Sequence, residues 1–278
     1  MNTTDIFNDL SEHVSLRIHS CQCSEHDRLW VENKTHHDYD LWFVTAGRVH
    51  IDAAQQSSTA AAGDVILFYP NEPYMARTGE EGCRFVYVHF DFAIGEQFRI
   101  LDDFELSGIV PGAQVHAESL QFLNAFTPYQ SNESISSLQL KGTLYVFIAK
   151  LLALYAAGLY TGSFRSRPST NDHIRNMALL QPVLRFIQSQ LHKPISVREL
   201  ASLAGMSDKY FITYFKKTVG LTPGQYIYQL KMNKARDYLY QKTHAVKDIA
   251  HLLGYPDPYT FSKAFKKYYH VPPSRFVR

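Results

Sequence analysis

The sequence is poor in cysteine, which argues against a disulfide-stabilised protein and against a cysteine-based zinc site. Cys21, Cys23 and Cys83 are too few for a disulfide framework in 278 residues, and their spacing matches no common zinc pattern. The first twenty residues also lack the basic and then apolar pattern of a secretory signal peptide. These absences favour the reducing cytoplasm as the location of the chain.

Long hydrophobic runs are almost absent as well. One segment, 144–160, is nearly all apolar, but its 17 residues are at the short limit for crossing a bilayer, and Lys150 lies near its centre. Apolar residues within 135–160 recur at steps of three and four, which predicts a helix. A helix in the core or in a dimer interface is favoured over a membrane span, and no membrane partner is expected.

Acidic residues are scarce in the second part of the chain. From Ile174 to Arg278 there are 17 Lys and Arg against 5 Asp and Glu, a net charge of +12. Residues 1–173 have 11 against 21, a net charge of −10. This asymmetry indicates a polyanion-binding part joined to a part with another role, and the length also favours two domains.

The N-terminal part has the pattern of short β-strands. Residues 14–92 contain runs rich in Val, Ile, Phe and Tyr, separated by Gly, Asp, Asn and Pro. Gly47 and Gly63 lie at expected turns, and Pro70 and Pro73 close a strand. The spacing predicts a small antiparallel sandwich or barrel.

The C-terminal part is predicted to contain a helix-turn-helix. A capping box at Ser196 starts one helix, Gly205 makes a turn, and Ser207 caps a second helix. In that helix Phe211 and Phe215 lie on the inner face and basic residues lie on the outer face. A short helix, a glycine turn and a second helix with a basic outer face are typical of this motif.

The same pattern occurs a second time. Val246–Ala250 repeats the pattern of Val197–Ala201, Gly254 follows Gly205 by 49 residues, and Asp257 caps a final helix. The major groove of DNA is about 12 Å wide and admits one α-helix. Two helices of one domain are therefore expected to enter successive grooves about 34 Å apart. The alternative, that these are merely solvated helix faces, does not explain the repeat together with the charge.

Residues 178–278 resemble the DNA-binding domain of the AraC/XylS family of transcription regulators over its whole length. The matching segments are 195–227, 231–239 and 246–278. The last of these, with Gly254-Tyr255 and Val271-Pro272-Pro273, is highly specific for the family. The resemblance implies a sequence-specific DNA-binding regulator and not an enzyme.

By this resemblance, the base-contacting positions are Lys209, Ile212, Thr213, Pro258, Tyr259, Ser262 and Lys263. Neighbouring residues predicted to contact DNA are Ser207, Lys216, Lys266 and Lys267. Ile212 departs from the polar residue often found at its position, and Pro258 has no side-chain hydrogen bond to offer. Because Ile212 is apolar, the first helix-turn-helix unit is expected to discriminate less between base sequences.

Residues 14–95 resemble the cupin-like effector domain of the same family, through the segments 37–42, 63–65, 70–74 and 85–90. This resemblance implies a jelly-roll pocket for a small effector, often a sugar. The predicted ligand-binding residues are Arg17, Asp40, Trp42, Tyr74, Tyr87 and His89. Aromatic rings would stack on a sugar while Asp40, His89 and Arg17 bind its hydroxyls. The alternative is that Trp42 and Tyr87 are core residues and His89 is a satisfied interior histidine.

Cupins also include metal-dependent enzymes, and this pattern is incomplete here. His36 and His37 are adjacent, so on a strand they point to opposite faces. No Glu follows at the required spacing, and Tyr74 occupies the usual position of a third histidine. The sequence therefore predicts no metal, no cofactor and no enzyme, with His36 and His37 as surface residues of a loop. A constitutive DNA-binding protein without an effector is the other alternative.

The full prediction is a two-domain α+β protein. Its parts are a cupin-like β-barrel at 1–134, a helical dimerisation segment at 135–162, a linker at 163–174 and an all-α domain with two helix-turn-helix units at 175–278. By resemblance, the apolar helix pairs two subunits into a homodimer. The expected partners are double-stranded DNA, a carbohydrate effector and, for an activator, RNA polymerase, in the cytoplasm at the nucleoid.

Overall fold

The computed structural model describes residues 7–8, 10–94, 97–98, 100–162, 164, 172–242 and 244–276. The chain divides between residues 174 and 175 into two compact units. The N-terminal unit is an antiparallel sheet with two helices, and the C-terminal unit is helical. The predicted fold class is therefore confirmed.

The described part of the N-terminal unit contains one eight-stranded sheet. Its strands are β1 (Val14–His26), β2 (Val31–Lys34), β3 (Tyr39–Ala53), β4 (Gln56–Ala61), β5 (Val65–Phe68), β6 (Tyr74–Ile94), β7 (Gln97–Phe98) and β8 (Gly108–Val110). Their order is β1-β6-β3-β5-β8, with β2 and β7 paired to β6 and β4 paired to β3.

The long central strands β3 and β6 place the residues of the candidate site on one face. In their register Asp40 lies opposite His89, and Trp42 lies opposite Tyr87. Because side chains of a strand alternate between faces, these four share one side of the sheet, as expected of the ligand-binding residues that the resemblance implies. A slip of one residue would turn all of β3 over, so this register is essential to the site.

A bulge at Gly47 bends the central pair. The register shifts between Val44 and Ala46 and again between Gly47 and Val49. Gly47 has φ +69°, and a Cβ atom there would lie 1.9 Å from the carbonyl oxygen of Gly82. Only glycine accepts both conditions, and the bend lets the two halves of β3 pair with different strands, β5 and β4.

Two helices, α1 (Gly112–Gln130) and α2 (Ser136–Ala156), follow the last strand. Phe43 of β3 stacks on Phe122 with 4.4 Å between ring centroids and meets the edge of Phe147 at 5.0 Å. These contacts bury the face of β3 opposite the candidate site. Helix α1 was not predicted, because its helical periodicity is weak.

The apolar segment predicted as a dimerisation helix corresponds to α2, which ends at Ala156 rather than at residue 162. Among the described residues, α2 is the one helix long and apolar enough to cross a membrane, a test that core helices also pass. Lys150 lies 3.8 Å from Glu118 of α1, which explains how the cation is accommodated.

The predicted linker, 163–174, lies largely outside the described residues, and two of its described parts differ from the prediction. Phe164 is buried and stacks near Phe68, and it exchanges hydrogen bonds with Ser107 through both backbone groups. A helix already begins at Asp172. An aromatic ring within a polar segment is stabilised by burial, so Phe164 belongs to the N-terminal core.

The C-terminal unit is a series of helices. They are α3 (Asp172–Ser189), α4 (Val197–Leu203), α5 (Asp208–Val219), α6 (Pro223–Gln241), α7 (Val246–Leu252), α8 (Pro258–Tyr269) and α9 (Pro273–Phe276). Ser196 forms the predicted capping box, and Asp257 accepts the predicted hydrogen bond from Thr260 N–H. Ser207 occupies the cap position of α5, but its side chain makes no capping hydrogen bond, so that part of the prediction is wrong.

Helix α6 contributes to the packing of both helix-turn-helix units. Tyr226 near its start meets Phe215 of α5 with 5.6 Å between ring centroids. Met232 and Leu239 further along join Phe265 of α8 in a second core. One continuous helix therefore fixes how α5 and α8 are presented.

A second connection between the two units lies at the Gly254 turn. Lys231 of α6 is buried, donates to the carbonyl oxygen of Lys193 at 3.4 Å, and lies 5.5 Å from the centre of the Tyr255 ring. Gly254 has φ +65°, and a Cβ atom there would lie 2.8 Å from the carbonyl oxygen of His192. The loop before the first unit thus packs directly on the turn of the second.

The glycines of the two turns provide a matched test. Both Gly205 and Gly254 have positive φ, but a Cβ atom at Gly205 meets nothing within 4 Å. We expect Gly205→Ala to lower the free energy of unfolding by about 1–2 kcal/mol, the conformational cost alone. Gly254→Ala should cost more because backbone atoms must also move. Urea unfolding followed by circular dichroism measures both, and equal losses would contradict the packing of this turn.

Candidate functional site

A small pocket lies against the shared face of β3 and β6. Its volume is about 130 Å³. We call it the Asp40 pocket, and its lining residues are Ser24, His26, Glu32, Lys34, His36, Asp40, Trp42, Tyr74, Phe85, Tyr87 and His89. Five of the six predicted ligand-binding residues are among them. Strands β1, β2, β3 and β6 contribute to this lining, with His36 in the loop before β3.

The carboxylate of Asp40 is the centre of the pocket. It is 1% exposed and accepts hydrogen bonds from Trp42 Nε1 at 2.8 Å and from the Tyr74 hydroxyl at 3.0 Å. The Nε2 atoms of His36 and His89 each lie 3.4 Å from one of its oxygens. A buried carboxylate is costly unless it is paired and hydrogen-bonded, and here both conditions hold.

The two histidines differ in their electrostatics. Burial lowers the pKa of His36, and the nearby Asp40 carboxylate only partly opposes this effect. Burial also acts to lower the pKa of His89, but the hydrogen bond and charge of Asp40 outweigh it, so this pKa is above its usual value. Burial, followed by Asp40, raises the pKa of Tyr74, which keeps its hydroxyl protonated as a donor.

The aromatic residues of the pocket divide into a packed wall and a rim. Trp42 lies parallel to Phe85 with 4.0 Å between ring centroids and is 3% exposed, so one of its faces is already covered. Tyr87 is half-buried, and its hydroxyl donates to Gln22 at 3.1 Å. The packing therefore supports Trp42 as a core residue, whereas the ring of Tyr87 lies at the rim and is available to contact a ligand.

Arg17 does not belong to this cavity. It is exposed, pairs in register with Asp91, and lines a separate open cleft of about 450 Å³ with Tyr129 and Lys141. Arg17 pairs with Asp91, two residues beyond His89 on β6, so it lies further along the sheet and outside the pocket. The resemblance to the effector domain did not fix how far along β1 the pocket extends.

The most important residue missed by sequence reasoning is His36. Its side chain is 18% exposed, and its ring lies 4.3 Å from that of His89, so it is not the surface residue predicted. The sequence feature that could have suggested its contact with Asp40 is its position four residues earlier in the chain. Ser24, His26, Glu32 and Lys34 were also missed, because β1 and β2 are mostly polar and show no clear inner face.

Helices α5 and α8 present the predicted DNA-contacting residues to solvent. The exposed ones are Ser207, Lys209, Ile212, Thr213, Lys216, Pro258, Tyr259, Lys263, Lys266 and Lys267, and Ser262 is half-buried. Phe211 and Phe215 of α5, like Phe261 and Phe265 of α8, are fully buried on the opposite sides. Within the part of the chain that the structure describes, none of these five lysines forms an ion pair. Their charges are therefore free to neutralise an external anion.

Sequence reasoning omitted Tyr210 from this surface. Its side chain is 60% exposed and its ring lies 5.9 Å from that of Tyr214 on α5. The sequence shows a tyrosine beside Lys209, but its helical position alone does not decide whether the ring lies at the edge of the core or on the outer face.

Comparison with known families decides the identity of the two units. The model of the AraC-like ligand binding domain matches residues 22–148, and a helix-turn-helix domain model matches residues 200–278. The chain belongs to the AraC family. It is an AraC-type DNA-binding transcription regulator with a ligand-binding domain.

Relatives of this AraC-family chain match along most of its length. The Msm operon regulatory protein of Streptococcus mutans is 24% identical and covers 99% of this chain and 98% of its own. The raffinose operon transcriptional regulatory protein RafR of Pediococcus pentosaceus is 22% identical, covering 88% of this chain and 86% of RafR. Among solved structures, ToxT of Vibrio cholerae aligns along 93% of this chain and 94% of its own, with 13% identity and a TM-score of 0.33.

The hydrogen bonds of Asp40 can be tested by a double-mutant cycle. Asp40→Ala leaves the buried donors of Trp42 and Tyr74 without their acceptor, so we expect the free energy of unfolding to fall by about 2–4 kcal/mol. Tyr74→Phe, made in the Asp40→Ala variant, removes one of the donors left without an acceptor. The loss in the double variant should therefore differ from the sum of the losses in the two single variants by about 1 kcal/mol. Tyr240→Phe, at an exposed tyrosine of the other unit, is the control. Additive losses at Tyr74 would refute the Asp40–Tyr74 bond.

Proposed function

We propose that this AraC-family protein binds a carbohydrate in the Asp40 pocket and contacts specific DNA bases through α5 and α8. The observation that carries the proposal is the pocket itself. It combines a buried acceptor, two imidazoles and the ring of Tyr87 at the rim. Hydroxyl groups of a sugar suit such convergent polar groups, and its apolar ring face suits an aromatic side chain.

The size of the cavity limits the effector. About 130 Å³ is well below the roughly 300–1,000 Å³ of pockets for drug-sized ligands. A single sugar ring, or the terminal ring of a larger sugar, is therefore the preferred occupant. The names of two relatives support the class: RafR regulates a raffinose operon, and a lactose operon transcription activator of Staphylococcus xylosus is 29% identical over 97 residues.

The DNA-contacting surface follows from the exposed faces of α5 and α8. Side chains near the start of a helix reach base edges in the major groove, whereas lysines further along reach phosphates. We assign the first role to Lys209, in the first turn of α5, and to Lys263 of α8, and the second role to Lys266 and Lys267 in the last turn of α8.

The proposed assembly is a homodimer that acts at the nucleoid, in the cytoplasm. Leu138 and Val146 of α2 are 71% and 48% exposed, which leaves apolar surface for a second subunit. Effector binding regulates transcription if it favours one arrangement of subunits over another. As an activator, the protein would also contact RNA polymerase.

The two roles of lysine on α8 predict different effects on DNA binding. Lys263→Ala should weaken binding to a duplex selected by the wild-type protein about 5- to 150-fold, with a smaller effect on random duplex. Lys267→Ala should weaken both duplexes alike and lower the slope of log affinity against log salt by about 1. Fluorescence anisotropy measures these constants, with Lys150→Ala of the N-terminal unit as control. The reverse pattern would show that the helix faces are wrongly assigned.

The effector proposal predicts a thermal shift with a sugar. Among mono- and disaccharides, the effector at a hundred times its dissociation constant should add about 2.7 kcal/mol to the free energy of unfolding, which raises the melting temperature visibly. Tyr87→Ala should abolish the shift, whereas Tyr240→Ala, at an exposed position of the other unit, should retain it. If no sugar shifts the wild-type protein, the carbohydrate proposal fails while DNA binding is unaffected.

A further inference from the structure

Three potential metal ligands converge in the Asp40 pocket. His36, Asp40 and His89 each offer one donor atom, and these atoms all lie within 4.8 Å of one another. They come from a loop and two different strands, so the pairing of β3 with β6 brings them together. Within the part of the chain that the structure describes, no other group of three such side chains is this close.

The separations of the donor atoms are those found between the ligands of a small metal ion. The Nε2 atom of His36 lies 3.4 Å from one oxygen of Asp40, and the Nε2 atom of His89 lies 3.4 Å from the other. A tetrahedral ion with bonds of about 2.0–2.1 Å holds its ligands about 3.4 Å apart. Both histidine–carboxylate separations match this spacing, and all three donor atoms lie within 4.8 Å of one another.

Neighbouring side chains orient two of the three donors, Asp40 and His89. Asp40 is fixed by Trp42 Nε1 at 2.8 Å and by the Tyr74 hydroxyl at 3.0 Å. His89 directs Nε2 towards Asp40, while its Nδ1 lies 3.9 Å from the carboxylate of Asp38. Ligating carboxylates are commonly held by hydrogen bonds, and ligating histidines commonly turn their second nitrogen to a carboxylate.

We propose that His36, Asp40 and His89 bind one divalent transition metal ion of the zinc class. Two imidazoles and a carboxylate suit Zn²⁺ or Fe²⁺ better than Mg²⁺ or Ca²⁺, which prefer oxygen ligands. Three protein ligands leave a fourth coordination position open. An oxygen atom of the effector occupies that position, a second step that rests on the proposed function.

The spacing of these ligands in the sequence differs from the usual cupin pattern, and for this reason the sequence predicted no metal site. The ligand pattern expected of cupins places a Glu after paired histidines and a histidine at position 74. Here Asp40 supplies the carboxylate, and His89 approaches from the paired strand, 49 residues away in sequence. Tyr74 holds Asp40 in place instead of binding the ion.

Cobalt titration tests the proposal directly. The full chain, purified without a histidine tag and treated with chelator, is titrated with Co²⁺ and followed by visible absorption. We expect one equivalent to bind with the intense absorption of a tetrahedral ion and Zn²⁺ to displace it. Variants His36→Gln and His89→Gln should each weaken binding more than about 100-fold, since loss of an outer-shell partner alone costs about 10–100-fold.

His37→Gln is the matched control, because this adjacent histidine bonds Asn71 rather than Asp40. It should bind Co²⁺ like the wild-type protein, and circular dichroism checks that all variants are folded. Absence of binding by the wild type, or full binding by folded His36→Gln and His89→Gln, would overturn the proposal. A sugar-induced thermal shift in chelator-treated protein without Co²⁺ binding would refute the metal site and leave the carbohydrate proposal standing. Co²⁺ binding without any sugar response would do the reverse.

Discussion

The pairing of β3 with β6 is the constraint on which the N-terminal unit depends. One register sets Asp40 against His89 and buries Phe43 on the other face beneath the helices. The bulge at Gly47 allows each half of β3 a different second partner. Because the side-chain period of a strand is two, no partial adjustment of this register is available. The pocket and the core beneath the helices are therefore on alternate faces of the same hydrogen-bonded ladder, and a change of register would alter both.

Helix α6 has the comparable role in the C-terminal unit. It packs against Phe215 at one end and Phe265 at the other, so the positions of α5 and α8 are both fixed by one helix. A DNA site with two contact segments requires a fixed distance and rotation between them. A flexible connection would give two independent weak contacts, whereas a shared helix gives one composite surface.

The fold was predictable where the information is local. Capping boxes, glycine turns and helical stripes lie within a few residues, so the two helix-turn-helix units and their outer faces follow from the sequence. The inward position of the residues from Asp40 to His89 was implied by the resemblance to the family's effector domain. The other outcomes depend on long-range pairing and on loop geometry: the pairing of β1 with β6 places Arg17 beyond the pocket, and His36 enters from a loop. Helix α1 and the burial of Phe164 were missed because tertiary packing, rather than local pattern, stabilises them.

Lys231 has a consequence for how salt acts on this protein. Burial lowers the pKa of Lys231, and its described contacts are a carbonyl oxygen and an aromatic ring rather than a carboxylate. Dissolved ions screen exposed charge pairs strongly but affect buried contacts with neutral groups much less. The junction between the two helix-turn-helix units should therefore hold its geometry over a wide range of ionic strength. A change of DNA affinity with salt would then report the counterions released from phosphates, and not a loosening of the protein.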